Sequence, residues 1–355
     1  MYKTLFYLLS FFLFVNCSPD SKPDTTTTEN SYFPPLTGNN WETKSISDLG
    51  WNQEAVQPLL DYLELKHSKS FLILVNGHIV MENYFNGHSA TTNWYWASAG
   101  KTLTTALTGI AEQEGYINTN NKVSDYLGTA WTAEPLEKEN LITCKHLLTM
   151  TSGIEDIANG DAVAPASLTY KADAGTRWAY HNVYVKLQDV IAQATGQSWN
   201  TYFNSKLRDK IGMNGVWLPL DNNSVYFSTT RSMARFGLLM LNKGKWENNV
   251  ILNESFFNAA TTTSQNLNLS YGYLWWLNGK SSYRLPQSQL QFSGSIIPDG
   301  PNDMFMALGK NDQKIYIIPS KKMVVIRMGD AADSVNPALS DFDNTLWQKI
   351  NALYQ

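Results

Sequence analysis

The chain has 355 residues, 43% hydrophobic and 16% charged, with 27 Lys and Arg against 31 Asp and Glu for a net charge of −4. That length suits two domains or one large domain carrying an insertion, and the apolar share is enough for a real core. The sparse charge excludes a long disordered or coiled-coil chain, and the acidic balance argues against a nucleic-acid partner. Two cysteines and five histidines form neither a disulfide framework nor a recognisable metal-ligand spacing, so no metal and no cofactor are expected.

The first element runs from Leu5 to Val15, apolar except for Ser10. It is too short to span a bilayer and matches the hydrophobic region of a signal peptide. Asn16-Cys17 follows it and resembles the lipobox of bacterial lipoproteins. The resemblance implies a signal peptide over 1–16, acylation of Cys17 and an exported protein anchored to a membrane. Ordinary secretion with Cys17 removed is the alternative. Ser18 to Asn30, with Pro19, Pro23 and the run Thr25 to Thr28, offers nothing apolar to pack, and the tether is drawn over 17–47. If Cys17 is acylated, Cys144 has no disulfide partner and reads as a small buried side chain.

From Asp48 to the C-terminus the composition is that of one folded unit, 48–355. Asn52 to Leu65 carries the helical stripe Val56, Leu59, Leu60, Leu63 with Asn52 as N-cap. Phe71 to Val75 and Ile79 to Tyr84 flank Asn76-Gly77-His78 and predict a hairpin. Ser98 to Glu114 predicts a helix, and Asn121 to Asn249 is mostly helical pattern broken by Gly and Pro. Met304 to Leu308, Lys314 to Ile318 and Met323 to Arg327 predict strands, the last two joined at Pro319-Ser320. Pro337 to Leu353 predicts a closing helix. The expected class is therefore α+β, an α/β sandwich. Its antiparallel sheet is built from both chain ends and flanked by helices, with a mostly helical subdomain inserted over roughly 121–249.

Chemistry concentrates in two stretches. In Trp96-Ala97-Ser98-Ala99-Gly100-Lys101 a serine opens a helix and a lysine lies one turn on along the same face, where a desolvated amine can help remove the hydroxyl proton. A capping serine on an ordinary helix is the competing reading. In Arg177-Trp178-Ala179-Tyr180-His181-Asn182 a phenol beside an ammonium can exist as a phenolate near neutral pH and take a proton. Tyr84 and Tyr202 stand in the same Tyr-x-Asn pattern. No Gly-x-Ser-x-Gly elbow is present.

These stretches, taken with His146-Leu147-Leu148-Thr149-Met150-Thr151-Ser152-Gly153-Ile154, Phe227 to Leu239 and Tyr271-Gly272-Tyr273-Leu274-Trp275-Trp276, resemble the serine β-lactamase-like superfamily. The resemblance is to its branch of class C β-lactamases, D-Ala-D-Ala peptidases and family VIII esterases. It implies a β-lactamase/transpeptidase-like fold with Ser98 as the acylated nucleophile, Lys101 as its partner, Tyr180 as the base and Asn182 contacting substrate or Lys101. It makes His146, Ser152 and His181 structural. The family's Lys-Thr-Gly is missing from Met304 to Gly309. Gly309-Lys310-Asn311-Asp312-Gln313 is similar to the Gly-x-Gly-Gly-Gln variant of esterase-like members, with Asn311 and Asp312 in place of the two inner glycines. Gly309, Lys310 and Gln313 are thereby candidates for substrate binding or the oxyanion hole, Lys310 either as a positive charge for substrate or as a solvated turn residue.

The expectation is an exported serine hydrolase that forms an acyl-enzyme with a small ester, amide or peptide substrate. A penicillin-recognising D-Ala-D-Ala peptidase or weak β-lactamase is the alternative within the class. A non-catalytic muropeptide- or glycan-binding lipoprotein is the alternative outside it.

Overall fold

The computed structural model describes residues 1–2, 31–220, 223–333 and 341–354. Cys17 and the expected signal peptide lie outside the described residues. In chain order the main elements are α1 (Val56–Leu65), β1 (Ser68–Val75), β2 (His78–Tyr84), β3 (Trp94–Tyr95) and α2 (Lys101–Gln113). They continue with α3 (Lys186–Thr195), β4 (Val216–Leu220), β5 (Asn223–Ser228), α4 (Thr230–Leu241) and β6 (Trp276–Leu277). The last are β7 (Phe305–Gly309), β8 (Gln313–Ile318), β9 (Met323–Gly329) and α5 (Asp341–Asn351).

The main sheet has six strands in the order β2-β1-β9-β8-β7-β6, every neighbouring pair antiparallel. Both chain ends build it, as the hydrophobic pattern predicts. The β1–β2 hairpin turns on Asn76 (φ 50°) and Gly77 (φ +87°), the two left-handed residues that a tight hairpin needs. Gly77 is fixed for a second reason: a Cβ there would lie 1.8 Å from Tyr32 O.

Residues of β8 and β9 are buried throughout, because helices cover both faces. Tyr316 packs edge-on to Trp347 of α5, ring centroids 5.5 Å apart. Its neighbour Ile315 faces the other way, with Val324 under Gly237 of α4, where an added Cβ would stand 2.5 Å from Val324 Cγ1. Helix α1 buries Leu59 and Leu63, and Asn52, expected as its N-cap, instead caps the 3-10 turn Gln53–Ala55 that leads into it, Oδ1 accepting from Glu54 N–H (3.0 Å).

One expectation is corrected. The tether ends before residue 47, because Lys44 N–H donates to Ile79 O (2.9 Å) and Ile79 N–H to Glu42 O (3.0 Å). The Trp41 indole donates to Gly77 O (2.7 Å), and Trp41 and Ile46 are buried. A segment with only scattered apolar residues docks here because β2 is an edge strand that offers it backbone partners. Among its described residues the stretch 121–249 is mostly helical in its regular elements, as expected. It contains the β4–β5 hairpin, which pairs with β3 in a separate three-stranded sheet. Its last helix, α4, leaves that region to cover the main sheet, Thr230 Oγ1 donating to Ser70 Oγ of β1 (2.6 Å).

Helix α2 runs through the centre, with every residue from Lys101 to Ala111 buried. Its threonines are satisfied internally: Thr102 donates to Ala99 O (2.7 Å), Thr105 to Tyr273 O (2.8 Å) and Thr108 to Thr104 O (2.8 Å). A helix buried on all sides is a rigid platform for whatever stands at its mouth.

Candidate active site

The chain turns sharply between β3 and α2. Trp96 still pairs as a strand residue, its N–H donating to Tyr226 O (2.9 Å) and its indole to Ser228 Oγ (2.8 Å). Ala97 then takes φ 47°, a conformation that a residue with a Cβ holds only when its surroundings impose it. Residues Ala97–Gly100 form a 3-10 turn leading into α2, so half-buried Ser98 stands at the helix mouth, where partial positive charge favours a developing anion.

Lys101 lies one turn along and is 3% exposed. Its Nζ donates to Ser98 Oγ at 2.8 Å and reaches Asn182 Oδ1 at 3.4 Å. The ammonium also sits over two rings, 4.9 Å from the Tyr180 centroid and 4.5 Å from that of Tyr184. Burial pushes the amine down to about 7, against the carboxylate of Asp161, which pulls it upward. Asp161 is exposed, and its loop is tied to the site: Asn182 Nδ2 donates to Asp161 O (3.4 Å).

Tyr180 is half-buried, stacked on Trp276 at 5.8 Å and edge-on to Tyr271 at 6.2 Å. Burial pushes its phenol well above the ordinary value, with the Ser98 hydroxyl pulling the other way. Burial therefore disfavours the phenolate expected from the sequence. Burial acts on Lys101 in the other sense and favours its neutral, basic form.

Strand β7 forms the opposite wall. A Cβ on Gly309 would stand 2.5 Å from Trp96 O and 3.0 Å from Ala99 N, so the strand end touches the turn that carries Ser98 through a residue that must lack a side chain. Gly309→Ala should push the two apart. A shift of about 1 Å costs on the order of 10²-fold in turnover, to be read as kcat of the purified variant; unchanged kcat would mean that this contact does not set the geometry.

Gln313 is not a substrate ligand. It is fully buried, its Nε2 donating to Gly329 O (2.6 Å) and Asn311 O (2.8 Å) while its Oε1 accepts from Gly329 N–H (3.1 Å). An amide whose donors and acceptor serve the backbone has nothing left for a ligand. Lys310 is exposed beside Gly309.

The remaining candidates are scaffold. His146 closes a capping box with Thr143, Ser152 Oγ accepts from Ile154 N–H (3.3 Å) and His181 Nδ1 accepts from Val183 N–H (3.0 Å). Met150, at φ 58°, takes Ala179 N–H on its carbonyl (2.8 Å) and so braces the segment that presents Tyr180. Tyr84 and Tyr202 donate to Glu82 (2.6 Å) and Glu114 (2.9 Å), away from Ser98. Cys144 is buried, its thiol pushed up to about 12 by desolvation. Among the described residues no cluster of His, Cys, Asp and Glu could hold a metal. The reading of the sequence missed Tyr184 and Asp161. The first could have been sought on the same short helical stretch as Asn182; the second lies in a loop with no pattern.

A family model described as Beta-lactamase matches residues 66–345. The chain belongs to the beta-lactamase family. Within this family of serine hydrolases the chain is 28% identical over 175 residues to a protein of Bacillus subtilis (strain 168) described as penicillin-binding protein PbpX. That match takes in 44% of this chain and 43% of PbpX, so the chain matches less than half the length of that relative. Its fold is shared with a protein from Bacillus anthracis described as a 6-aminohexanoate-dimer hydrolase, at TM-score 0.66 and 20% identity over 88% of this chain and 86% of the other. It is also shared with a class C beta-lactamase mutant, at TM-score 0.64 and 17% identity over 84% and 96% of the two chains. These likenesses establish the fold of the beta-lactamase family for this chain, helices on both faces of an antiparallel sheet.

Proposed function

We propose that the protein is a serine hydrolase that acylates Ser98 with an ester or amide substrate and passes the acyl group to water. The observation that carries this reading is the contact of Lys101 Nζ with Ser98 Oγ at 2.8 Å, made by an amine that burial brings down to about 7. Neutral Lys101 takes the hydroxyl proton as Ser98 Oγ bonds to the substrate carbonyl carbon. Charge gathers on the carbonyl oxygen, toward the Ser98 N–H and a backbone amide at the end of β7. As the bond to the leaving group breaks, the Tyr180 phenol supplies a proton to the departing oxygen or nitrogen and regains one from the Lys101 ammonium. Water then follows the same path in reverse and releases the acid. Asn182 holds the lysine, and Lys310 stands at the rim. We place the enzyme outside the cytoplasm, anchored through Cys17, on the residues that precede it.

A penicillin-recognising activity is the second reading, favoured by the description of the Bacillus subtilis relative. Against it stand Ala307 and Leu308 of β7, both buried and apolar, where a Lys-Thr pair would hold a carboxylate. The test is a panel of p-nitrophenyl acyl esters, a chromogenic cephalosporin and a D-Ala-D-Ala peptide. Esters should be turned over and the other two should be slower by orders of magnitude. A cephalosporin or peptide preferred over every ester would select the second reading, and binding of muropeptides without any turnover would select a receptor.

A further inference from the structure

The two residues that replace the inner glycines of the Gly-x-Gly-Gly-Gln pattern keep the glycine conformation. Asn311 has φ 59° and Asp312 φ 58°, the left-handed region that Asn and Asp tolerate better than other residues with a side chain. Unlike glycines, both carry side chains that tie the turn down, and in opposite directions.

Asp312 points inward. Its carboxylate accepts from Ala332 N–H (3.0 Å) and pairs with buried Lys314 at 3.1 Å, which also meets Asp343 of α5 at 2.9 Å. The carbonyls of Asn311 and Asp312 accept from the Arg327 guanidinium at 2.9 and 3.1 Å. The inner side of the turn is thus bolted to β8, β9 and α5.

Asn311 points outward. Its Nδ2 donates to the Tyr95 hydroxyl at 2.5 Å, and Tyr95 lies in β3, three residues before Ser98. The end of β7 and the nucleophile turn therefore meet twice, in van der Waals contact at Gly309 and through a hydrogen bond at Asn311. The amides that face the substrate oxygen in the reaction proposed above sit on these two pieces, one on each.

We propose that Asn311 and Tyr95 are positioning residues whose hydrogen bond fixes the spacing between the nucleophile turn and the end of β7, and with it the oxyanion hole. The proposal rests on the acyl-transfer reading for its catalytic consequence and on the structure alone for the latch. A glycine at 311 would keep the backbone and lose the tie, so the replacement of glycine has a use.

The experiment takes the full chain with Tyr95→Phe, Asn311→Gly, the double variant and Asn311→Asp, whose carboxylate can accept the Tyr95 hydroxyl proton and restore the tie. Steady-state kinetics with p-nitrophenyl butyrate should show kcat lowered about 10- to 100-fold in each of the first two, within the range for a disturbed oxyanion donor, while KM changes little. The double variant should be no worse than either single, and Asn311→Asp should recover most of the loss. Amide hydrogen exchange should quicken in both 94–100 and 309–313 in Tyr95→Phe and Asn311→Gly. Full kcat in both variants, or losses that multiply in the double, would overturn the proposal. If the wild-type chain does not turn over the ester, the acyl-transfer reading fails for that substrate, and exchange then decides the latch: unchanged exchange in the two segments overturns it.

Discussion

Ser98→Ala should abolish covalent labelling by a fluorophosphonate and lower ester turnover by about 10⁴-fold or more, the scale on which a nucleophile is lost. The change removes one hydroxyl that is half-buried and hydrogen-bonded to Lys101 at 2.8 Å. It leaves the strained Ala97 turn and the Trp96 and Ala99 backbone contacts in place, so the melting temperature should move by only a few degrees. In the wild-type protein, peptide mapping should find the label on Ser98 alone. Turnover that persists in Ser98→Ala would place the chemistry on another hydroxyl. Ser152 is a poor substitute, being buried with its oxygen occupied by Ile154 N–H.

Ser98 and Lys101 were legible in the sequence because their pairing is local. Residues three apart at the start of a helix share a face whatever the rest of the chain does. The hairpin at Asn76-Gly77 and the strands around Pro319-Ser320 were legible for the same reason, their signals lying within a few residues. What sequence could not give depends on distant partners. Residues 32–46 carry no periodic pattern, and their place is set by the open edge of β2. Gln313 has the composition of a ligand and becomes a backbone staple only because Gly329 of β9 lies beside it. The shifts of Lys101 and Tyr180 follow from burial among Tyr184, Tyr271 and Trp276, which arrive from two separate parts of the chain. Asn311 and Asp312 looked like departures from a glycine pattern, yet their left-handed backbone is that pattern kept by other means.

The pair Lys101 and Tyr180 carries the last large expected effect. If neutral Lys101 is the proton acceptor, an amine held at about 7 gives kcat/KM a limb that rises as pH increases through about 7, since deprotonation makes the active form. Lys101→Ala should remove that limb and cost about 10²–10⁴ in kcat, the range for a lost general base. Tyr180→Phe should cost a similar factor but keep the limb, because the lysine that titrates is still present. The double variant should be little worse than either single if the two pass one proton between them, since residues acting as a unit are strongly non-additive. Asp161→Asn supplies an independent check: its carboxylate raises the Lys101 value, so neutralising it should move the limb to lower pH. Burial lowers this lysine from its ordinary value of 10.5 in the folded chain, so between about 7 and 10.5 the unfolded chain binds more protons. The contribution of Lys101 to stability therefore improves as pH rises through that window. A limb that survives in Lys101→Ala would give the titration to another group. Losses in Lys101→Ala and Tyr180→Phe that multiply would separate the two into independent roles, one of them in binding.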